Sequence, residues 1–213
     1  MANAAMFARS VRLFARKTLS PEALSAHLAT RAIQIRDDLI SSHQAPNAYT
    51  TYVDGQKDAR EAVVQPDGVI LYRFHYLPQA TLLAVEQAMR LSPVRSGRYR
   101  RAWCVVVDGR VWTQDLARIP AGSEVMVLNP EPYARKIDTG GMKTSVPPGI
   151  VEAARQIVQR QYPNIKAERK FVTIPAGVIP GAPWILRQNH GRSRSRSAGQ
   201  PITYPALVLK EKV

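Results

Sequence analysis

Asp108-Gly109, set between the β-prone runs Trp103 to Val107 and Arg110 to Trp112, constrains this chain more than any other feature of its sequence. An Asp-Gly pair between two such runs closes a two-residue hairpin, because the turn whose twist matches paired strands needs positive φ at both central positions. An antiparallel pair is therefore expected in mid-chain. Glu124 to Asn129 reads as a further strand, and Lys170 to Ile174 and Ile202 to Leu209 as two late ones. Helices and strands alternate irregularly and the strands are hairpin-linked, so the expected class is α+β, a mainly antiparallel sheet flanked by amphipathic helices.

Three helices have legible starts and stops. Ser20-Pro21-Glu22 supplies a cap, a proline at the first helical position and a carboxylate near the positive end of the dipole. Leu24, Leu28, Ala32, Ile35 and Leu39 then recur at helical spacing as far as Ser41. Gln79 to Leu91 follows Pro78, with Leu82, Val85 and Met89 on one face, and stops at Ser92-Pro93. Pro147 and Pro148 open the third, in which Ile150, Ala154, Ile157 and Val158 share a face before Pro163 stops it. A short helix from Pro130 to Ile137 is expected to close at Gly140 and Gly141. Tyr49, Tyr52 and Val53, then Val63 with Val64, then Val69 to Phe74 read as short antiparallel strands separated by Asp54-Gly55 and Pro66-Asp67-Gly68. The expected organisation is a basic N-terminal arm over 1–19 and a single α+β domain over 20–213. That domain carries an extra N-terminal helix, a β-hairpin segment at 45–76 that is an insertion or an extra sheet, and a flexible basic loop at 188–200.

Thirty Lys plus Arg against 16 Asp plus Glu give a net charge of +14, so a polyanionic or acidic partner is expected. Arginine supplies 22 of those cations, and its planar fork suits carboxylate or phosphate pairing at interfaces. The lone cysteine, Cys104, excludes an internal disulfide and a thiolate zinc cluster built by this chain alone; between Trp103 and Val105 it reads as a small buried hydrophobe. No apolar run approaches the ~20 residues of a spanning helix, so no membrane partner is expected. His27, His43, His75 and His190 form no pair at metal-ligand spacing. Thr139-Gly140-Gly141-Met142-Lys143-Thr144 lacks the first glycine of a phosphate loop, and Asp37-Asp38 diverge on their helix. No catalytic residue, cofactor-binding residue or metal ligand is assigned, and no reaction is expected.

Basic features leave two readings open. Arg90, Arg95, Arg98, Arg100 and Arg101 lie within twelve residues without an acid, interleaved with Tyr99 and Trp103. Such a run is a track for a phosphate backbone with rings to stack on bases, or it is an interface turn. Arg192, Arg194 and Arg196, alternating with serine between glycines, suit contact with DNA or with an acidic partner. Residues 1 to 21 carry Arg9, Arg12, Arg16 and Lys17 and no acid, the composition of an organellar transit peptide. Phe7, Val11 and Phe14 at helical spacing make the same segment an amphipathic arm.

One ordered pair of segments goes further. Leu91-Ser92-Pro93-Val94-Arg95-Ser96-Gly97-Arg98-Tyr99-Arg100-Arg101-Ala102-Trp103 leads from a helix into the hairpin, and Asn129-Pro130-Glu131-Pro132-Tyr133-Ala134-Arg135-Lys136-Ile137-Asp138-Thr139-Gly140 follows the next strand. This order resembles the neck and tail-completion (head-tail joining) proteins of long-tailed bacteriophages. There a Ser-Pro-Val-x-x-Gly-Arg-Leu-Arg-x-Ser-Trp segment precedes an Asn-x-x-Tyr-Ala-x-x-x-Glu-x-Gly segment. The match covers residues 79–141, with Arg95 where family members often place an acid and Thr139 where an aromatic is usual.

Pro93, Gly97, Arg98, Arg101, Trp103, Asn129, Tyr133 and Gly140 are the candidate structural and interface residues. Pro93 stops a helix, Gly97 permits positive φ, and Arg98 and Arg101 project from the turn. Asn129 with Pro130 is expected to cap the short helix, which Tyr133 packs and Gly140 ends. The resemblance implies a virion structural protein, assembled in the host cytoplasm into a homo-oligomeric ring at the head-tail junction. Its partners would be the head connector or head-closure protein on one side and the tail tube or tail terminator on the other, with genomic DNA in the lumen and no cofactor. The alternative is a basic nucleic-acid-binding protein, organellar if residues 1–21 are cleaved.

Overall fold

The computed structural model describes residues 20–188 and 197–212, and the chain divides into two compact units at His75/Tyr76. The basic arm at 1–19, most of the loop at 188–200 and, with it, Arg192, Arg194 and Arg196 lie outside the described residues. The sequence reading joins 20–213 into one domain; in the fold, the first helix instead shares a unit with the strands that follow it, because its Leu28 and Ala29 pack with Val53, Val64 and Ile70.

In the first unit, helix α1 (Pro21–Ser41) starts where its cap predicts, with Ser20 Oγ accepting from the Ala23 amide at 3.3 Å. Strands β1 (Tyr49–Val53), β2 (Gln56–Lys57) and β3 (Ile70–Phe74) form an antiparallel sheet in the order β2-β1-β3, with Tyr52 opposite Leu71. Val63 and Val64 are not a strand. Glu61–Val63 is a 3₁₀ turn, and the Asp54 carboxylate serves the loop that follows, accepting from the Gln65 amide at 2.9 Å and the Val69 amide at 2.7 Å. A side chain thus satisfies backbone donors that a ladder would otherwise have taken. The predicted apolar stripe of α1 is only partly covered: Ala29 is its one buried residue and Ile35 is 46% exposed. A 21-residue helix runs ~31 Å and a five-residue strand ~17 Å, so so small a sheet leaves much of the helix uncovered. Arg36 lies over the rings of Tyr49 and Tyr72, at 5.1 and 5.4 Å, and pairs with Glu61 at 2.8 Å. His75 is buried, its Nε2 2.7 Å from Thr50 Oγ1, a satisfied core histidine.

The second unit bears out the α+β class. Its elements are α2 (Leu77–Arg90), α3 (Arg98–Arg101), β4 (Cys104–Val107), β5 (Arg110–Val111), β6 (Val125–Leu128), α4 (Ala134–Asp138), α5 (Ile150–Gln161), β7 (Ile165–Val172) and β8 (Tyr204–Glu211). The five strands are antiparallel in the order β5-β4-β6-β8-β7. The Asp-Gly hairpin forms as expected, Asp108 at φ 47° and Gly109 at φ 80°. One face of the sheet, through Val105, Val125, Val127, Leu207 and Leu209, packs on α2 and α5. Each such fully buried side chain contributes about 1.5–3 kcal/mol relative to leaving it exposed.

Helix α2 buries the face expected of it only in part, Val85 and Met89 packing half-buried against the core. Leu77, Ala80, Thr81, Ala84 and Ala88 face the core, while Leu82 is 49% exposed. The alanine stripe lets the helix approach α5 and β8 closely, and closeness of packing rather than side-chain size decides which face turns inward. The opposite face of the sheet is also covered: Ile174, Ile179 and Ala182, from the segment between β7 and β8, pack on Val106, Leu128 and Ala206. Burial on both faces explains the unbroken apolar run from Tyr204 to Leu209 in β8. Strand β7 begins five residues before its predicted start, masked in sequence by Lys166, Glu168 and Lys170. These three form a charged ladder, Glu168 lying 2.9 and 2.8 Å from the two ammoniums, and hydrogen bonds from Lys170 and Lys166 hold its carboxyl down to about 2. Charge of this kind protects an edge strand from further pairing. Among the described residues no helix is long and apolar enough to cross a membrane.

Candidate functional site

The two segments that carry the resemblance converge at the end of α2. Ser92, just past the helix, donates through Oγ to the Ala88 carbonyl at 2.6 Å and accepts from Trp103 Nε1 at 2.8 Å. Helix end and hairpin start are thereby tied across a turn of ten residues, with Pro93 half-buried between them. Gly97 stands at φ 75° at the start of α3, a conformation that an L side chain resists. Arg100 reaches back to the carbonyls of Met89 and Arg90, at 2.9 and 3.5 Å, capping α2 with a cation at the negative end of its dipole. Arg101 donates to the Ser96 carbonyl at 3.3 Å.

Asn129 has a different role from the one expected. It is fully buried, but helix α4 starts only at Ala134, with Tyr133 as a cap residue that makes no side-chain cap bond. The Asn129 side chain instead donates to the Tyr99 carbonyl at 2.7 Å and accepts from the Glu131 amide at 3.1 Å. It joins the second segment to the first. Beside it, Arg98 Nε lies 2.8 Å from Glu131 Oε1. The first segment, which has no acid of its own, thus takes a carboxylate partner from the second. The Tyr99 ring packs edge-on to Trp103 at 6.0 Å and against Tyr133 at 5.9 Å. Burial raises the pKa of both phenols; at Tyr133 the charge of Glu131 adds to the effect.

This geometry bears on the basic run. Arg90, Arg98, Arg100 and Arg101 each make intramolecular hydrogen bonds, and Tyr99 and Trp103 lie in the main core, so neither ring is available to stack on a base. The turn nevertheless presents Val94, 57% exposed, together with Arg95, Arg98 and Arg101 to solvent.

At the far end of the second segment Gly140, at φ 77°, ends α4 as expected. The residue before that turn that matters most is one the sequence reading passed over. Asp138 is wholly buried, accepts from the Val151 amide at 2.9 Å and pairs with Arg169 of β7. It caps α5, whose own cap position is Gly149 and offers no side chain. Glu131, Asp138 and Arg169 could not be found from spacing, since their partners lie more than thirty residues away. Among the described residues no group of three or more His, Cys, Asp or Glu could hold a metal ion. Comparison of the chain with protein-family models, curated proteins and solved structures found no match.

Two expected results follow from this geometry. Gly97→Val should lower stability by about 1–3 kcal/mol, the cost of a strained backbone conformation. A Cβ there would also meet Arg101 Nη1 at 2.5 Å. That contact is relieved if the arginine swings away from Ser96, but the positive φ remains; an unchanged urea midpoint would show the turn to be adaptable. Cys104 is half-buried, its Sγ 3.5 Å from the Leu128 carbonyl, and burial pushes the thiol up to about 11. At pH 8 its thiolate fraction is then ~0.1%, against ~25% for an unperturbed cysteine. Reaction with an aromatic disulfide reagent should be ~100-fold slower in the folded protein than in guanidinium; equal rates would contradict the burial.

Proposed function

We propose that this chain is a head-tail joining subunit of a long-tailed phage, forming a homo-oligomeric neck or tail-completion ring through which DNA passes. The observation that carries the reading is the union of its two resembling segments. Asn129 to Tyr99 and Glu131 to Arg98 bind into one unit two stretches whose order and spacing were the basis of the resemblance. A rigid joint of this kind, with an apolar residue and three arginines on its outer side, has the chemistry of an interface hot spot. Rings close by heterologous contacts, so each subunit needs two unlike faces, and the exposed turn around Val94 and Arg98 is one candidate. No reaction is assigned to the chain.

The test is quantitative mass spectrometry of particles purified from the source, measuring the molar ratio of this chain to the portal protein. A low, fixed ratio supports a ring component. Absence from particles in which portal and tail proteins are detected overturns the reading. A salt series of DNA binding then discriminates the nucleic-acid alternative, for which a slope set by several neutralised phosphates is expected.

A further inference from the structure

In the second unit a cavity of about 430 Å³ opens between helix α4 and the segment that covers the far face of the sheet. Among the described residues its lining includes Arg135, Lys136 and Arg187 and no acidic residue. Trp184 and Ile185, also in the wall, are 43% and 52% exposed, and Ile202 adds apolar surface beside them. We propose that this cavity takes an acidic peptide segment of another protein, seating one bulky apolar side chain against Trp184 and Ile185 and its flanking carboxylates on Lys136, Arg187 and Arg135.

Three observations carry the assignment. The wall is built rather than draped. The Trp184 amide donates to Tyr204 Oη at 3.0 Å, the Ile202 amide to the Trp184 carbonyl at 2.9 Å and the Leu186 amide to the Gln200 carbonyl at 2.9 Å, so the exposed indole rides on a bonded ribbon. Arg135 is held in place as well, donating to Thr203 Oγ1 with its guanidinium 4.4 Å above the Phe171 ring. Lys136 and Arg187 are both exposed, and among the described residues neither has an ion-pair partner. Their charge is therefore available to an incoming anion.

The occupant follows from complementarity. Cations around an apolar cleft call for carboxylates around an apolar side chain, and clefts of this volume suit one anchoring group rather than a long surface. A second copy of this chain is a poor source, because it has 16 acids against 30 cations and Glu61, Glu131, Asp138, Glu152 and Glu168 are already paired internally. Single-stranded nucleic acid is also anionic, but tracking it takes a succession of stacking rings. Among the described residues of the lining, Trp184 is the only aromatic one. The proposal stands on this cavity and does not depend on the ring reading.

The experiment measures fluorescence anisotropy of two labelled probes on the full chain at moderate salt: the peptide Gly-Asp-Glu-Asp-Phe-Asp-Glu-Gly and a ten-residue oligothymidylate. The peptide should bind, and replacing its Phe by Gly should weaken it ~5-fold. Lys136→Glu with Arg187→Glu should weaken the peptide at least ~10-fold, and Trp184→Ala about 5-fold. Lys57→Glu with Arg110→Glu makes the same change in net charge at exposed sites elsewhere and should cost less than ~2-fold. Arg187→Ala alone is a milder second variant, expected to weaken the peptide ~3-fold, and a circular dichroism spectrum checks the fold of each. The proposal is overturned if the peptide does not bind, or if both double variants weaken it equally, which would mean diffuse attraction. It is also overturned if the cavity variants abolish oligothymidylate binding while sparing the peptide, which would make this a nucleic-acid site.

Discussion

Asp138→Ala is expected to be among the most damaging single substitutions in the second unit, lowering stability by about 3–5 kcal/mol. The carboxylate has no exposed surface, pairs with Arg169 and caps the first turn of α5 through the Val151 amide. Removing it leaves Arg169 without its counter-ion, although Arg169 Nε is already buried without a hydrogen-bond partner. It also strips the cap from a helix whose Gly149 cannot replace it. Asp138→Asn separates the two effects. It keeps an oxygen for Val151 but not the charge, and so should recover about 1 kcal/mol of the loss. Urea titration of the full chain reads both, as a fall in midpoint at constant slope. A loss under about 1 kcal/mol for the alanine variant would mean that water replaces the carboxylate at little cost.

Trp103→Ala should cost a similar amount, about 3–5 kcal/mol, from the cavity that it opens in the main core. Trp103 is 9% exposed and packs on Tyr99, and its indole nitrogen holds Ser92. Trp103→Phe fills most of that space and loses only the bond to Ser92 Oγ, so about 1–2 kcal/mol is expected. The difference between the two variants measures packing apart from the hydrogen bond. If the phenylalanine variant proved as damaging as alanine, the Ser92 bond rather than ring burial would be what positions the arginine turn. Arg98 and Arg101 project from that turn, so under the ring reading Trp103→Ala should also reduce the oligomer seen by light scattering.

How far the candidate site was legible depends on the reach of each contact. Pro93, Gly97, Trp103 and Gly140 do what their residue types and neighbours require. Each is a matter of one helix stop, one positive φ or one buried ring. Asn129 was found but misread: its position after a strand matched a cap, and nothing local shows that the Tyr99 carbonyl, thirty residues earlier, lies within 2.7 Å. Tyr99 and Trp103 looked like stacking rings in a basic run. Interleaving says nothing about which side of a turn faces the core.

The same division holds for the whole chain. Sequence by itself determined the start of α1, the Asp108-Gly109 hairpin, the stop at Ser92-Pro93 and the antiparallel α+β class, whereas α5 begins at Ile150 behind Gly149, past the two prolines expected to open it. The features so determined rest on backbone angles and on contacts within a few residues, which composition and spacing express directly. Only the tertiary structure decided that α2 turns its alanines inward, that the segment after β7 covers the second face of the sheet, and that Asp138 meets Arg169. Those follow from the strand order β5-β4-β6-β8-β7, which brings distant segments side by side. A pairing of that range is chosen by the packing of the whole core, and no local spacing records it.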